Sequence, residues 1–287
     1  MRVGVGPAAI ATAGIVAVCA AAGPQPPIDM SGLLKKVAER VGAYYSRAQS
    51  ILCIETVRLQ PLRSDLSPNG FARELVYELR VSWEGTVDAA STPDASQLRQ
   101  LRKVNGHAPR PNDEPECLDP KPVSVDPLAF LLASHQREYV FSFKGNGRAN
   151  SRPAAMVDFQ PAESQPPEIS WKDTCVSFSL PARTTGRVWI DAATGDVLRL
   201  DEKIHGPFEL TPPREQRRDA AFQPLIFDWY DSTIRYKAVA FRNPDESVML
   251  PESVETLTVF RGSGTSFRKT QTFRGYQRFV TDARLVK

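Results

Sequence analysis

The most telling chemical group in this sequence is a carboxylate among apolar neighbours. Glu55 falls in register with Ile51, Cys53, Val57 and Leu59, so a strand would carry all five on one face. A carboxylate in an apolar row needs a partner, or its charged form is disfavoured. Arg73 occupies the apolar register of the next strand pattern. A Glu55–Arg73 pair across a hairpin would satisfy both. It could sit at an edge with both heads in water, or act as a polar anchor that orients a ligand head group.

Other reactive types are dispersed. His107, His135 and His205 are far apart, and two lie in or near loops. There is no G-x-S-x-G, H-E-x-x-H, P-loop or G-x-G-x-x-G. We therefore expect no enzyme and no cofactor; a hydrolase with an unrecognised site would rest on no motif. The loop Asp191–Asp196 holds two carboxylates and a threonine, but calcium wants more oxygens than it offers. A hairpin turn built on Asp and Gly195 explains the same residues. No C-x-x-C or close Cys/His pair suggests a metal. On the last strand pattern, Arg268, Lys269, Arg274 and Arg278, with Arg284 and Lys287 beyond, read as a solvated face or one that meets anionic lipid heads. There Arg274 and Arg278 share parity with Tyr276, and Phe273 and Phe279 lie opposite.

The elements that would position these groups are mostly strands. Leu33, Leu34, Val37, Val41, Tyr44 and Tyr45 recur at helical spacing, and Asp29 or Ser31 can cap them, predicting an amphipathic helix over Ser31–Arg47. Ser50–Gln60 and Phe71–Trp83 form a hairpin around Ser67-Pro68-Asn69-Gly70. In it Leu75, Tyr77, Leu79, Val81 and Trp83 share one face, and Glu74, Glu78, Arg80 and Ser82 take the other. Glu84–Pro122 is polar and proline-rich and reads as a flexible insertion, with a short strand or helix around Leu98, Leu101 and Val104. Asp126–Ser134 is predicted as a second helix, with Asp126 as N-cap. Strand patterns then follow to Phe279, including a hairpin of Arg187–Ile190 and Val197–Ile204. The 24 prolines enforce many short elements.

The N-terminus carries Arg2, an uncharged apolar run from Val3 to Ala22 and a small-residue site at Ala20–Ala22. This reads as a cleaved signal peptide over 1–22 and a linker over 23–29, hence a periplasmic or secreted protein. An uncleaved anchor, or lipid attachment at Cys19, are the alternatives. Of the four cysteines, Cys53 then reads as a buried thiol and Cys117–Cys175 as a disulfide. A net charge of +3 and export both argue against nucleic acid.

Gly186-Arg187-Val188-Trp189-Ile190-Asp191, followed by Thr194-Gly195-Asp196-Val197-Leu198-Arg199-Leu200, resembles the hairpin of LolA/LolB-like periplasmic proteins, which include lipoprotein carriers and RseB-type sensors. Leu250-Pro251-Glu252-Ser253-Val254 is similar to the strand entry near the end of such domains. The resemblance implies a mainly β (α+β) fold over 30–287, a single large antiparallel sheet curved into a half-open barrel with covering helices. It implies an apolar small molecule, an acyl chain or a lipoprotein in the concave face, on Leu75, Tyr77, Leu79, Val81 and Trp83 with Glu55 and Arg73. Envelope proteins and peripheral membrane contact are further partners it allows, and a monomer is expected. An envelope scaffold or stress sensor without a ligand is the alternative function.

Overall fold

The computed structural model describes residues 29–48, 50–84, 94–113, 116–163, 168–172, 175–179, 183–211, 224–242, 245–262 and 264–278. The expected signal peptide, Cys19, the polar stretch 85–93, Phe279 and the last basic residues lie outside them.

One α-helix among the described residues, α1 (Met30–Ala48), precedes thirteen strands. These are β1 (Ile51–Leu62), β2 (Arg73–Glu84), β3 (Asp94–Val104), β4 (Val123–Val125), β5 (Tyr139–Ala149), β6 (Arg152–Pro161), β7 (Glu168–Lys172), β8 (Cys175–Ser179), β9 (Thr184–Ile190), β10 (Val197–Leu210), β11 (Leu225–Arg242), β12 (Asp245–Gly262) and β13 (Ser266–Arg278). Eleven of them form one antiparallel sheet in the order β4-β3-β2-β1-β13-β12-β11-β10-β9-β6-β5, with β7 and β8 as a separate hairpin. The sheet is open, with β4 and β5 at its edges, so the half-open antiparallel expectation holds. The last strand lies at its centre, between β1 and β12. No described helix is long and apolar enough to cross a membrane.

The Asp29 carboxylate accepts the Gly32 N–H at 3.0 Å and starts α1. Its buried stripe is Leu33, Val37, Val41, Tyr44 and Tyr45, as the 3.6-residue spacing predicts. That stripe packs with Ile51, Val157, Val188, Ile190, Leu200, Ile234 and Leu250 from six strands. The helix thus covers part of the sheet's inner face.

Three expectations are corrected. Asp126–Ser134 is not an α-helix. It makes one 3-10 turn at Ala129–Leu131, because Asp126 turns its side chain back to the Leu128 N–H at 3.0 Å and the chain extends again at Leu132; a second such turn follows at Gln136–Glu138. The polar stretch after Glu84 supplies a full strand, β3, paired with β2 from Leu75↔Val104 to Glu84↔Asp94. A bulge between Val76 and Tyr77 in that pairing shifts the alternation, so Gln97 is buried while Leu98 is 39% exposed. On β13 the simple parity also fails. Gly275 has φ +62° and the register with β1 shifts there. Phe273 and Tyr276 consequently both pack inward around Cys53.

The β9–β10 hairpin holds as read. Asp191 N–H donates to the Asp196 carbonyl at 2.9 Å and Gly195 N–H to the Asp191 carbonyl at 2.8 Å. Gly195 takes φ +77°, a conformation that costs other residues a steric clash.

Candidate functional site

The register places four side chains in a row across the centre of the sheet. Glu202 on β10 lies opposite Ser232 on β11, Ser232 opposite Thr256 on β12, and Thr256 opposite Lys269 on β13. Directly opposed residues share a face, and this row shares the inner face with its parallel neighbour two residues along. The neighbour reads Leu200, Ile234, Val254, Gln271, Val57 and Leu75. A cavity of about 210 Å³ opens over the polar row, lined also by Arg99, Tyr230, Gln271 and Asp126. Its volume is large enough for several water molecules or a compact ligand.

One wall is a closed charge network. Glu55 is 0% exposed and is met by Arg99 on β3, whose Nε donates to Oε2 at 2.6 Å. Gln271 also donates to Glu55. Arg99 spends its remaining donors on Gln97 Oε1 at 2.6 Å and Ser124 Oγ at 2.7 Å. Gln97 in turn donates to Asp126 at 3.3 Å, and the Tyr45 hydroxyl of α1 donates to Asp126 at 2.9 Å. Burial pushes the Asp126 carboxyl up, against the pull of the Leu128 N–H, Tyr45, Gln97 and Arg99.

The other groups are less satisfied. Glu202 and Lys269 make no hydrogen bond or ion pair with another described residue. Burial raises the Glu202 carboxyl to about 7, with Lys269 pulling the other way. Burial also lowers the Lys269 ammonium, helped by Arg99 and opposed by Glu55 and Glu202. Each is a charge held in a poorly solvated place without direct compensation.

A loop caps the cavity. Pro120 and Lys121 line its mouth. Just before them, Arg73 grips Asp119 with two bonds, Nε at 3.0 Å and Nη2 at 2.9 Å, and Glu116 at 2.8 Å. The Cys117–Cys175 disulfide, with Cα atoms 5.1 Å apart, ties the loop to β8. Cys53 is free and buried, its thiol pushed up to about 12 by burial.

The predicted site residues are only partly brought together. Glu55 is buried, as its register required, but its partner is Arg99 and not Arg73. The hairpin puts Glu55 opposite Tyr77, whereas Arg73 lies opposite Leu59. Four residues of strand separate them, roughly 13 Å. Leu75 and Tyr77 are packed dry against Val57, Leu59 and Val104. Leu79 and Val81 line a minor cleft of about 20 Å³ with Tyr44 and Tyr276. Trp83 pairs with Ala95 in the backbone, and its side chain lies outside the described residues. Lys269 faces the cavity instead of the wet face, while Arg268 and Arg274 are exposed. Asp191 and Asp196 hold Arg152 at 2.7 and 3.1 Å, and Asp196 holds Arg40 at 2.6 Å, so the loop is a turn with its carboxylates paired. Among the described residues no His, Cys, Asp and Glu cluster could hold a metal.

Sequence reasoning passed over Arg99 and Glu202, and read Lys269 only as part of a basic, solvated or lipid-facing strand. The signal was present: Glu202 shares parity with Leu198, Leu200 and Ile204, and Lys269 with Phe267, Gln271 and Phe273. These are the same charge-in-an-apolar-row pattern that singled out Glu55.

No protein-family model matches the chain, and no curated protein matches it either. Solved structures do. A LolA superfamily protein from Nitrosomonas europaea aligns over 88% of this chain and 95% of its own, with 10% identity and a TM-score of 0.38. A putative outer membrane lipoprotein-sorting protein domain from Vibrio parahaemolyticus aligns over 86% and 94%, with 8% identity and a TM-score of 0.38. A DUF1329 family protein from Desulfovibrio piger aligns over 88% and 93%, with 8% identity and a TM-score of 0.42. At such TM-scores the likeness carries no argument about ligand or activity, which rest on the cavity.

Proposed function

We propose that this chain is a cell-envelope binding protein that holds its ligand in the cavity on the inner face of the sheet. The observation that carries the reading is Lys269 and Glu202 facing a cavity of about 210 Å³ without a direct partner among the described residues. Stability alone does not favour such groups, since an uncompensated charge in a poorly solvated place costs free energy. A bound polar group would repay that cost. The disulfide fits an oxidising compartment.

The polar part of the ligand occupies the cavity. An acyl chain, or the lipid of a lipoprotein, would run along Leu79 and Val81, and α1 would have to lift to admit it, because the cleft there is small. Leu75, Tyr77 and Glu55 then support the site from beneath, and Arg73 holds the capping loop. Binding, rather than catalysis, is what this arrangement performs.

Native mass spectrometry of protein gently isolated from the envelope fraction tests the reading. A non-covalent mass should accompany the wild type and be absent from Lys269→Met. Protein that carries no such mass, and shows no thermal shift with an envelope extract, would sink it.

A further inference from the structure

The polar row has a shape as well as a composition. Two long side chains, Glu202 and Lys269, flank two short ones, Ser232 and Thr256. The result is a notch with an acidic end, a cationic end and a hydroxyl floor. Adjacent strands are about 4.8 Å apart, so roughly 14 Å of sheet separates the two end residues at their Cα atoms. Both side chains are half-buried, so each head group is denied full hydration.

The surrounding charges do not disturb this polarity. Arg99 is consumed by Glu55, Gln97 and Ser124. Asp126 is consumed by Tyr45, Gln97 and the Leu128 N–H. Lys121 is exposed at the mouth and solvated. Behind the mouth, the charges that the described residues leave for a ligand are therefore one of each sign, at opposite ends.

We propose that this notch recognises a zwitterion, with the ligand's anionic group on the Lys269 ammonium and its own ammonium group on the Glu202 carboxylate. The proposal rests on the cavity being the ligand site. A ligand with one charge would satisfy one end and leave the other unpaired. Only a molecule carrying both removes both penalties. Hydrogen bonds from the Ser232 and Thr256 hydroxyls suit the linker between the charges or an oxygen of the anion. Two sources share this chemistry: a free amino-acid-type zwitterion, and the phosphate–ammonium head of a zwitterionic phospholipid whose chains would pass towards Leu79 and Val81.

Calorimetric titration of the full chain separates these cases. The free arm compares glycine, 4-aminobutyrate and 6-aminohexanoate with hexanoate and hexylamine. The lipid arm compares short-chain phosphatidylethanolamine with short-chain phosphatidylglycerol. At least one zwitterion should bind about tenfold or more tightly than its singly charged counterparts. Glu202→Gln should abolish the preference over the anion, and Lys269→Met the preference over the amine. Near-UV circular dichroism checks that both variants keep the fold, and the ligand panel on the wild type stands without them. Hexanoate or phosphatidylglycerol binding as well as the zwitterions overturns the proposal, as does no binding by any of them. If a cargo found by mass spectrometry is lost with Lys269→Met while no zwitterion binds, the binding reading survives and the zwitterion does not.

Discussion

The inner face of the sheet has two halves that solve the same problem differently. Under α1, Val37, Tyr45, Val157, Val188, Ile190 and Leu200 close over one another, each at most about 0% exposed. A few residues further along the same strands, the face turns polar. Leu200 gives way to Glu202, Ile234 to Ser232 and Val254 to Thr256. The first half buries its apolar side chains against one another, as protein interiors do. The second encloses a cavity and keeps two charges there. Folding alone asks for the first solution everywhere, so the second half marks where another demand has shaped the chain.

The largest effects should come from breaking the closed network that borders the cavity. Arg99→Met strands the fully buried Glu55, and removing one partner of a buried pair costs about 3–5 kcal/mol. Urea unfolding should show that loss. Adding Glu55→Leu should return most of it, and a double variant as unstable as the single would show that the pair is not what Arg99 holds. In a second dry cluster, on β1, β2 and β3, Leu75→Ala should cost about 2–5 kcal/mol by opening a hole among Val57, Leu59 and Val104. The wet half should behave in the opposite sense: Thr256→Val should change stability by less than about 1 kcal/mol, because its side chain borders space. Equal losses at the two positions would erase the contrast.

Reduction of Cys117–Cys175 sharpens the comparison further. The bridge closes a sequence separation of 58, for which chain entropy allows about 4 kcal/mol as a ceiling, and about 2–4 kcal/mol is typical. Hydrogen exchange should then accelerate in the capping loop around Asp119–Lys121 while the amides of α1 remain as protected relative to global unfolding. Uniform acceleration in both halves would mean that the cap is not a separate unit.

Much of this was legible in the sequence where one periodicity governed one element. The α1 stripe, the β1–β2 hairpin and the β9–β10 turn could be read from local spacing and turn chemistry, and the disulfide from the expected export and the polar surroundings of Cys117 and Cys175. The site was not, because it is assembled by strand order. Glu202 and Lys269 stand at the two ends of one row only because β13 inserts between β1 and β12, which no local pattern states. The Glu55–Arg73 pairing failed for a related reason. Matching parity puts two residues on one face but says nothing about how far along the strand they stand. The β13 bulge at Gly275 and the β3 bulge each flipped a parity count that is strict only in a regular strand.

A pH-dependent effect concerns Glu202. Its carboxyl stands at about 7 in the fold, against an ordinary 4.5, because burial disfavours the charged form. The groups that face it are Lys269, which opposes the shift, and Tyr230, itself pushed up to about 12 by burial and then by Glu202. Between pH 4.5 and about 7 the folded chain therefore binds a proton that the unfolded chain has released. Stability from this group is complete below pH 4.5 and is lost as pH rises through about 7. The loss is on the order of 1–3 kcal/mol, towards the lower end because water in the cavity reaches the carboxylate. Glu202→Gln should be more stable than wild type at pH 8 by that amount and nearly equal to it at pH 4. The cluster around Leu75 contains no carboxylate among its described members, so Leu75→Ala should show the same penalty at both pH values. A Glu202→Gln gain that persists unchanged at pH 4 would mean that repacking, and not the buried charge, separates the two halves.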